Sequence, residues 1–446
     1  MRTYNILDYG AIEADLLQTK AIQAAIDDCF LAGGGEVIIP SGIYRTGGLR
    51  IRSNVVLHLL QGAILEGSGN PDDYTAWKED KLEPVDFSDI EPSKYRSATR
   101  TSRWNNAMIR AFDAHDIAII GEPGSILNGM NCYDPTGEEN YRGPHGIDLW
   151  DCERVTLRGY TVRATGNWAH AIFRTRELEV RDITVQGGHD GVDVFLCENV
   201  LIEDCKFWTG DDSLAGFGSK NVVMRRCILN SSCSSIRFGG TDVLIEECEN
   251  HGESRFAHRW SLSEEDKARS AFTNETHSRC DQNVFLYYCD ERFGKLPYEP
   301  GNIVIRNCNF DGVCDLFRMT FGKHIWCCGE SLRSIIFENC CLENLSLPIG
   351  IYGDKDNPTE FRLRNVRLSA RNGIKSQIFI DAENCSRIEL TNVKLEGYTS
   401  PKLVLRSECE VIINACDDFE LERSFCENAC EQCDRKGQMP EGEYNV

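Results

Sequence analysis

The sequence has no surplus of positive charge. Its 48 Lys and Arg residues stand against 70 Asp and Glu, a balance of 48 − 70 = −22. Binding DNA or RNA by counterion release needs a basic surface, and so does docking on an anionic membrane, so neither partner is expected. An anionic small substrate is not excluded, because a local basic pocket can sit in an acidic protein. The chain also lacks any run of about 18 apolar residues, so no transmembrane helix is expected. The opening MRTYNILDYGAIEAD has no apolar stretch behind Arg2, so no secretory leader is read there and a cytoplasmic location is expected. In that setting the 22 cysteines read as reduced thiols and not as a disulfide framework. What is present is ordinary globular composition, 41% hydrophobic and 26% charged over 446 residues. Length alone would suggest two or three domains, a rule that repeat folds break.

A repeat is the most informative feature. It reads VLIEDC at 200–205, VVMRRC at 222–227 and VLIEEC at 243–248, and returns at 284–289, 303–308 and 335–340. Related versions begin at Val155, Leu178 and Ile388, with Tyr160, Ile183 and Val393 in the cysteine slot. The starts 155, 178, 200, 222 and 243 differ by 23, 22, 22 and 21 residues. A period in this range marks a stacked repeat. Apolar and polar residues alternate within each unit, as half-buried strands require, and Gly and Asn punctuate the units. The expected fold is therefore all-β, a parallel β-helix whose coils stack at the ordinary strand spacing of about 4.8 Å. Cys205, Cys227, Cys248, Cys289, Cys308 and Cys340 would stack inside it as small apolar residues.

Residues 19–30, TKAIQAAIDDCF, read as a helix with Ile22, Ala25, Ile26 and Cys29 on one face and Thr19 as N-cap. Such a helix would cap the open end of the core. Gly33, Gly34 and Gly35 follow a helix and precede a strand, the reverse of a phosphate loop, so they read as a helix-ending turn. Two stretches break the period, near 70–110 and 250–282, and read as surface insertions of one domain spanning residues 1–420. Residues 421–446 form an acidic tail whose Cys426, Cys430 and Cys433 have a spacing that can hold zinc or an iron–sulfur cluster, but no fourth ligand is evident. No metal and no cofactor are expected.

The period also sorts the polar residues. Asp190 lies in GGHDGVD and Asp211 and Asp212 in TGDDS, 21 and 22 residues apart, which is one coil. Three carboxylates should then converge on one face, and mutual repulsion should raise at least one pKa. Catalysis, turn-forming Asp residues and a calcium site all fit that column. Paired carboxylates suit glycosidic cleavage, one donating a proton and another activating water or attacking the sugar.

The stretch TKAIQAAIDDCFLAGGGEVIIPSGIYRTGGLRIRSNVVLHLLQGAIL, followed by NWAHAIF, HDGVDV, GDDSLA and FENCCLENLSLPIGIY, resembles glycoside hydrolase family 28, the polygalacturonase-like, pectin-degrading enzymes. The resemblance covers roughly residues 3–400. It implies a right-handed, pectin-lyase-like parallel β-helix and hydrolysis with inversion. It implies Asp211 as general acid, with Asp190 and Asp212 holding and activating water.

There are departures. The family's Asn-Thr-Asp falls on Gly188, His189 and Asp190, and its Gly-His-Gly falls on SSCSSIRFGG, where Cys233 and Ser234 stand instead of a histidine. His189 could replace that histidine from the neighbouring coil, or be an ordinary exposed one. No sequence feature supplies Cys233 with a base that would make it a nucleophile. The family's Arg-Ile-Lys falls near residues 255–259 by counting coils, and on Arg318 and Thr320 by alignment with LENLSLPIGIY, which is the preferred placement. Arg237 is another candidate anion clamp, since a guanidinium can hold a carboxylate through two bonds, or else a surface salt-bridge partner.

The expected function is hydrolysis of a pectic or related oligosaccharide, galacturonide or rhamnogalacturonan, by an exo-acting enzyme. Asp190, Asp211 and Asp212 are the catalytic residues; His189, Arg237 and Arg318 bind substrate. A lyase or epimerase on the same scaffold, and a non-catalytic carbohydrate-binding helix, are the alternatives. Oligomeric state is left open.

Overall fold

Val192 and Val194, then Val200 and Ile202, then Phe207 each turn into a common apolar core, with polar neighbours between them. Only short turns separate these three runs, so the chain bends and returns above itself. The computed structural model describes residues 2–74, 103–138, 141–256, 281–323, 326–371 and 378–424. Strand Val192–Phe195 pairs in parallel with His170–Phe173 on one side and Leu214–Arg225 on the other. Glu198–Glu203 does the same with Arg176–Arg181 and the later half of Leu214–Arg225. Lys206–Thr209 lies between Thr184–Gly187 and Ile228–Ser231. Each coil thus gives one strand to each of three parallel sheets, the parallel β-helix that the period predicts.

The turns need left-handed backbone. Asn307, Asn339, Asn365 and Asn392 have φ of 55°, 54°, 53° and 52°, a region Asn tolerates better than most residues. Their side chains form a ladder: Asn339 donates to Asn307 at 3.2 Å, Asn365 to Asn339 at 2.9 Å and Asn392 to Asn365 at 3.0 Å. Inside this bend Cys205, Cys227, Cys248, Cys308 and Cys340 are buried. Each thiol donates to the carbonyl two residues earlier, at 3.2–3.4 Å. The 18 cysteines among the described residues are all free thiols.

Cys289 does not join that column. Its strand, Asp281–Tyr287, pairs Phe285 with Ile236 and Asn283 with Ser234, in the first sheet. Cys289 itself bridges to Cys327. The register partner of Val243 is Ile303, so this coil closes 303 − 243 = 60 residues on. The motif at 284 matched because alternation is common to all three sheets.

Helix Thr19–Leu31 buries Ile22, Ala25, Ile26 and Cys29 over the end of the core. Thr19 is not its cap. Gln18 holds the N-cap position without a side-chain bond to the helix, its amide being spent on Ile12 and Leu16, while the Thr19 hydroxyl accepts from the Gly47 amide at 2.8 Å. Gly34 (φ 108°) passes so close to the next coil that a Cβ would lie 2.4 Å from the Asn54 carbonyl, which explains the glycine run.

The insertions are narrower than the broken period implies. Ala107–Phe112 is a regular strand in register with His145–Trp150, and Tyr74 is buried with its hydroxyl donating to Ser68 O at 2.7 Å. Residues 75–102 and 257–280, which include the remainder of both stretches, lie outside the described residues. Strand Glu420–Arg423 still pairs with Lys402–Leu405, so the helix runs past the expected boundary at 420; Cys426, Cys430 and Cys433 lie outside the described residues. Among the described residues no helix is long and apolar enough to cross a membrane.

Close stacking gives a test. A Cβ on Gly191 would meet Ser213 O at 2.5 Å and the Phe207 ring at 2.6 Å. Gly191→Ala should therefore lower stability by about 1–3 kcal/mol, the range for overpacking. An unchanged urea midpoint would show that the coils are less tightly stacked than this.

Candidate active site

One face of the first sheet carries charge where the other carries the core. Strand register places Arg110, Asp148, Ala171, Asp193, Ala215, Arg237, Leu286, Arg318, Gly350 and Asp381 in a single column across ten coils. Small residues at 171 and 215 leave room for longer side chains on either side. The turns leading into these strands supply a second group, His189 and Asp190 on one coil, Asp211 and Asp212 on the next, and Cys233 and Ser234 on the third.

Asp190, Asp211 and Asp212 come together as the period predicts. The Asp212 amide donates to Asp190 Oδ1 at 2.9 Å, which ties the two coils side chain to backbone. Ser231 Oγ donates to the Asp211 carbonyl at 2.7 Å and accepts from the Cys233 amide at 2.8 Å, fixing the turn above. Asp211, Asp212 and Cys233 each bring one donor atom within 4.8 Å of the others, the one such group among the described residues that could hold a cation. An ion pair already occupies part of it: Arg237 Nε lies 2.6 Å from Asp212 Oδ2.

Arg237 is held from the far side by rings. Its guanidinium carbon lies 4.5 Å from the Tyr288 ring centre and 5.6 Å from that of Trp326, the geometry of a cation–π contact. Tyr288 is itself anchored. Its hydroxyl donates to Asp290 at 3.1 Å and accepts from Arg292 Nη2 at 2.8 Å, and Arg292 Nε donates to Asp290 at 2.9 Å. The loop after strand Asp281–Tyr287 thus folds back over the sheet, with Phe293 against Phe173, Phe195 and Phe217.

The opposite wall is a hairpin that breaks the period. Tyr133 and Arg142 form an antiparallel bridge, in contrast to the parallel pairing of the coils. Arg142 Nη1 donates to Asn167 at 2.9 Å and Nη2 lies 3.5 Å from Asp211 Oδ2, both side chains being almost fully buried. Tyr141 stacks over His189 at 6.3 Å between ring centres.

Burial dominates the electrostatics. The Asp190 carboxyl is pushed well up, first by desolvation and then by the charges of Asp211, Asp193 and Asp212. Asp193 is also pushed well up by burial, against the pull of Arg237, and neither of its oxygens has a hydrogen-bond partner among the described residues. Asp212 is pushed up to about 6 by burial, opposed by Arg237 and reinforced by Asp211. His145 is pushed down to about 3, by burial and then by Arg110 and Arg142, and His170 to about 4 by burial, so both are neutral at pH 7. Four buried carboxyls therefore share two guanidinium groups, and the surplus is met by retained protons.

Other expectations meet a different outcome. His189 is not an exposed histidine; it is 1% exposed beneath Tyr141. Arg318 lies in the charged column, but three strand steps beyond the strand that follows Asp212, about 14 Å at the usual strand spacing. Its Nε donates to Asp315 at 2.7 Å and its Nη2 to Pro348 O at 3.1 Å. The offset arises because the long coil brings in Asp281–Tyr287, with Leu286 between Arg237 and Arg318. Arg255, the other placement of that motif, lies over Trp208 at 4.2 Å. Asp193 and Arg142 were not singled out from sequence. Asp193 was within reach, since 237 − 193 = 44 is two coils; Arg142 stands on a non-periodic hairpin that leaves no such signal.

Asp193 gives a stability test. Its carboxyl is raised in the folded state, so its burial is harmless below the unfolded value near 4 and increasingly unfavourable as pH climbs toward the folded value. Asp193→Asn should gain stability over the native chain as pH rises from 4 to 8, by at most about 1.4 kcal/mol per pH unit. Thermal unfolding across that range checks it; a difference independent of pH would contradict it.

No family model matches the chain. A probable polygalacturonase of Vitis vinifera is 24% identical over 264 residues, 54% of this chain and 51% of that protein. An exo-poly-alpha-D-galacturonosidase of Dickeya chrysanthemi is 45% identical over 261 residues, 49% of this chain and 42% of that protein. The chain spans about half the length of the curated relatives it matches. A solved exopolygalacturonase from Thermotoga maritima superposes with a TM-score of 0.66 over 89% of this chain and 92% of that one, at 17% identity. That likeness is one of fold, the right-handed parallel β-helix. Over about half its length the chain is similar in sequence to these polygalacturonases, and over 89% of it similar in fold to the Thermotoga maritima exopolygalacturonase.

Proposed function

We propose that the chain is a glycosidase acting on a pectic or related oligosaccharide, of galacturonide or rhamnogalacturonan type. The observation that carries this reading is the buried carboxyl cluster in which the Asp212 amide rests on Asp190 and Asp211 stands alongside. Asp211 donates a proton to the leaving oxygen, while Asp190 and Asp212 hold and activate water. Arg237 keeps Asp212 ionised more readily than burial alone would allow. Arg237, beside the carboxyls, and Arg318, further along the sheet, face the sugar chain, while His189 is buried beneath Tyr141 and acts on the cleft through that ring. Exo-action is supported by the pairing of Tyr133 with Arg142, which brings Arg142 onto Asp211 and Tyr141 over His189 at one side of the cluster. The reduced thiols in the core support a cytoplasmic site of action, on short fragments.

Inversion follows from the family resemblance. A double displacement with retention is the alternative outcome. Proton NMR of the first-formed anomer separates the two.

Reducing-sugar release from acidic and neutral oligosaccharides tests the reaction itself. Asp211→Asn should lower kcat by on the order of 10²–10⁴ while leaving the fold intact. Activity surviving in that variant would remove Asp211 from the proton-donor role, and an unsaturated, ultraviolet-absorbing product would mark a lyase instead. Random internal cuts would exclude exo-action.

A further inference from the structure

The sheet that contains Glu198–Glu203 turns Val200 and Ile202 into the core and Leu201 and Glu203 outward. Register carries Leu201 onto Val223, Leu244, Val304 and Ile336 of the coils that follow. Apolar residues scattered singly on a surface need no explanation, but five in file do. They form an outward stripe about 19 Å long at about 4.8 Å per coil, and each is only partly buried.

Beside the stripe runs a second outward column, Glu203, Arg225, Glu246, Arg306, Glu338 and Arg364, whose sign alternates at every coil. Ion pairs form along it, Arg225 with Glu203 at 2.9 Å, Arg306 with Glu246 at 2.7 Å and Arg364 with Glu338 at 3.1 Å. The three arginine side chains remain 35%, 43% and 44% exposed, so a further carboxylate can reach them.

An alternating column is complementary to itself in one arrangement. A second copy is laid face to face, with the two-fold axis along the strands and midway between the coils of Leu244 and Val304. That axis reverses the order of the coils. Glu246 then faces Arg306 of the second copy and Arg225 faces its Glu338, while Leu244 meets Val304 and Val223 meets Ile336. An axis placed on a coil would set like charges against each other. An axis along the stack would oppose the charged column to the uncharged flank of Asn199 and Asn221.

We propose that this face is the interface of a symmetric homodimer, two sheets packed front to front with the apolar stripes in contact and the alternating columns paired across the axis. The area suffices. From Glu153–Arg158 to Cys385–Glu396 the sheet holds nine stacked strands. At about 4.8 Å per coil and about 3.3 Å per residue over six-residue strands, the face covers on the order of 850 Å², against about 800 Å² per partner in a standard interface. The charge also fits. Two chains of net charge −22 repel at a distance, and this column, with as many arginines as glutamates, lets them meet without concentrating negative charge.

Sedimentation velocity of the full chain reads the oligomeric state directly. The native chain should run as a dimer at micromolar concentration, where interfaces of this size associate. Leu244→Lys, beside the axis, should raise the dissociation constant by on the order of 100-fold or more, because each dimer would bury two unpaired ammonium groups. Glu246→Arg should also give a monomer, and adding Arg306→Glu to it should restore the dimer, since the exchange keeps opposite charges across the axis. Circular dichroism checks that each variant folds; if Leu244→Lys does not, the charge exchange decides alone. A native chain that stays monomeric overturns the proposal, as does a dimer that survives both Leu244→Lys and Glu246→Arg. A dimer lost in Glu246→Arg and not regained by the exchange overturns the antiparallel arrangement.

Discussion

Backbone pairing between successive coils is the constraint from which everything else follows. Each coil lies about 4.8 Å above the last, and register is kept from His170–Phe173 through Val192–Phe195 to Ala215 and Arg237, shifting only between Phe217 and Ser219. Residues some 22 apart in sequence therefore become neighbours in space. The same rule builds the apolar core from Val200, Val222, Val243, Ile303 and Ile335, the bend from the Asn307–Asn392 ladder and the functional face from Asp193 and Arg237. A column is a strong organiser because it repeats a chemistry without any residue needing a partner of its own in the same coil.

That economy has an electrostatic consequence. Stacked carboxyls cannot all ionise when buried, and here burial outweighs the help of Arg142 and Arg237 for Asp190 and Asp193. The cluster is held between two guanidinium walls, one on a hairpin and one on the sheet. Perturbed groups of this kind are a poor choice for stability alone, and their concentration in one cleft is typical of a working site. Hydrophobic packing nearby does the positioning. Phe293 covers Phe173, Phe195 and Phe217, and the Tyr288–Asp290–Arg292 trio fixes the ring on which Arg237 lies.

Much of this was legible in the chain. The repeat from Val155 to Val243 predicts the helix, and the spacing of Asp190, Asp211 and Asp212 predicts their meeting, because both depend only on a short, regular period. Legibility ends where the period does. Cys289 was assigned to the thiol column because any alternating strand resembles any other. The distance of Arg318 from the carboxyls is not legible, because a 60-residue coil conceals an additional strand of the first sheet.

Local alternation and a constant repeat length thus determined, from sequence alone, the fold and the carboxyl column. Tertiary structure decided what stands around that column. Arg142 reaches Asp211 from a pairing with Tyr133 that belongs to no repeat, and Tyr288 and Trp326 close over Arg237 from two separate segments, one after strand Asp281–Tyr287 and one after strand Val313–Thr320. These contacts join segments far apart in the chain, and nothing in local periodicity encodes how a loop folds back over a sheet.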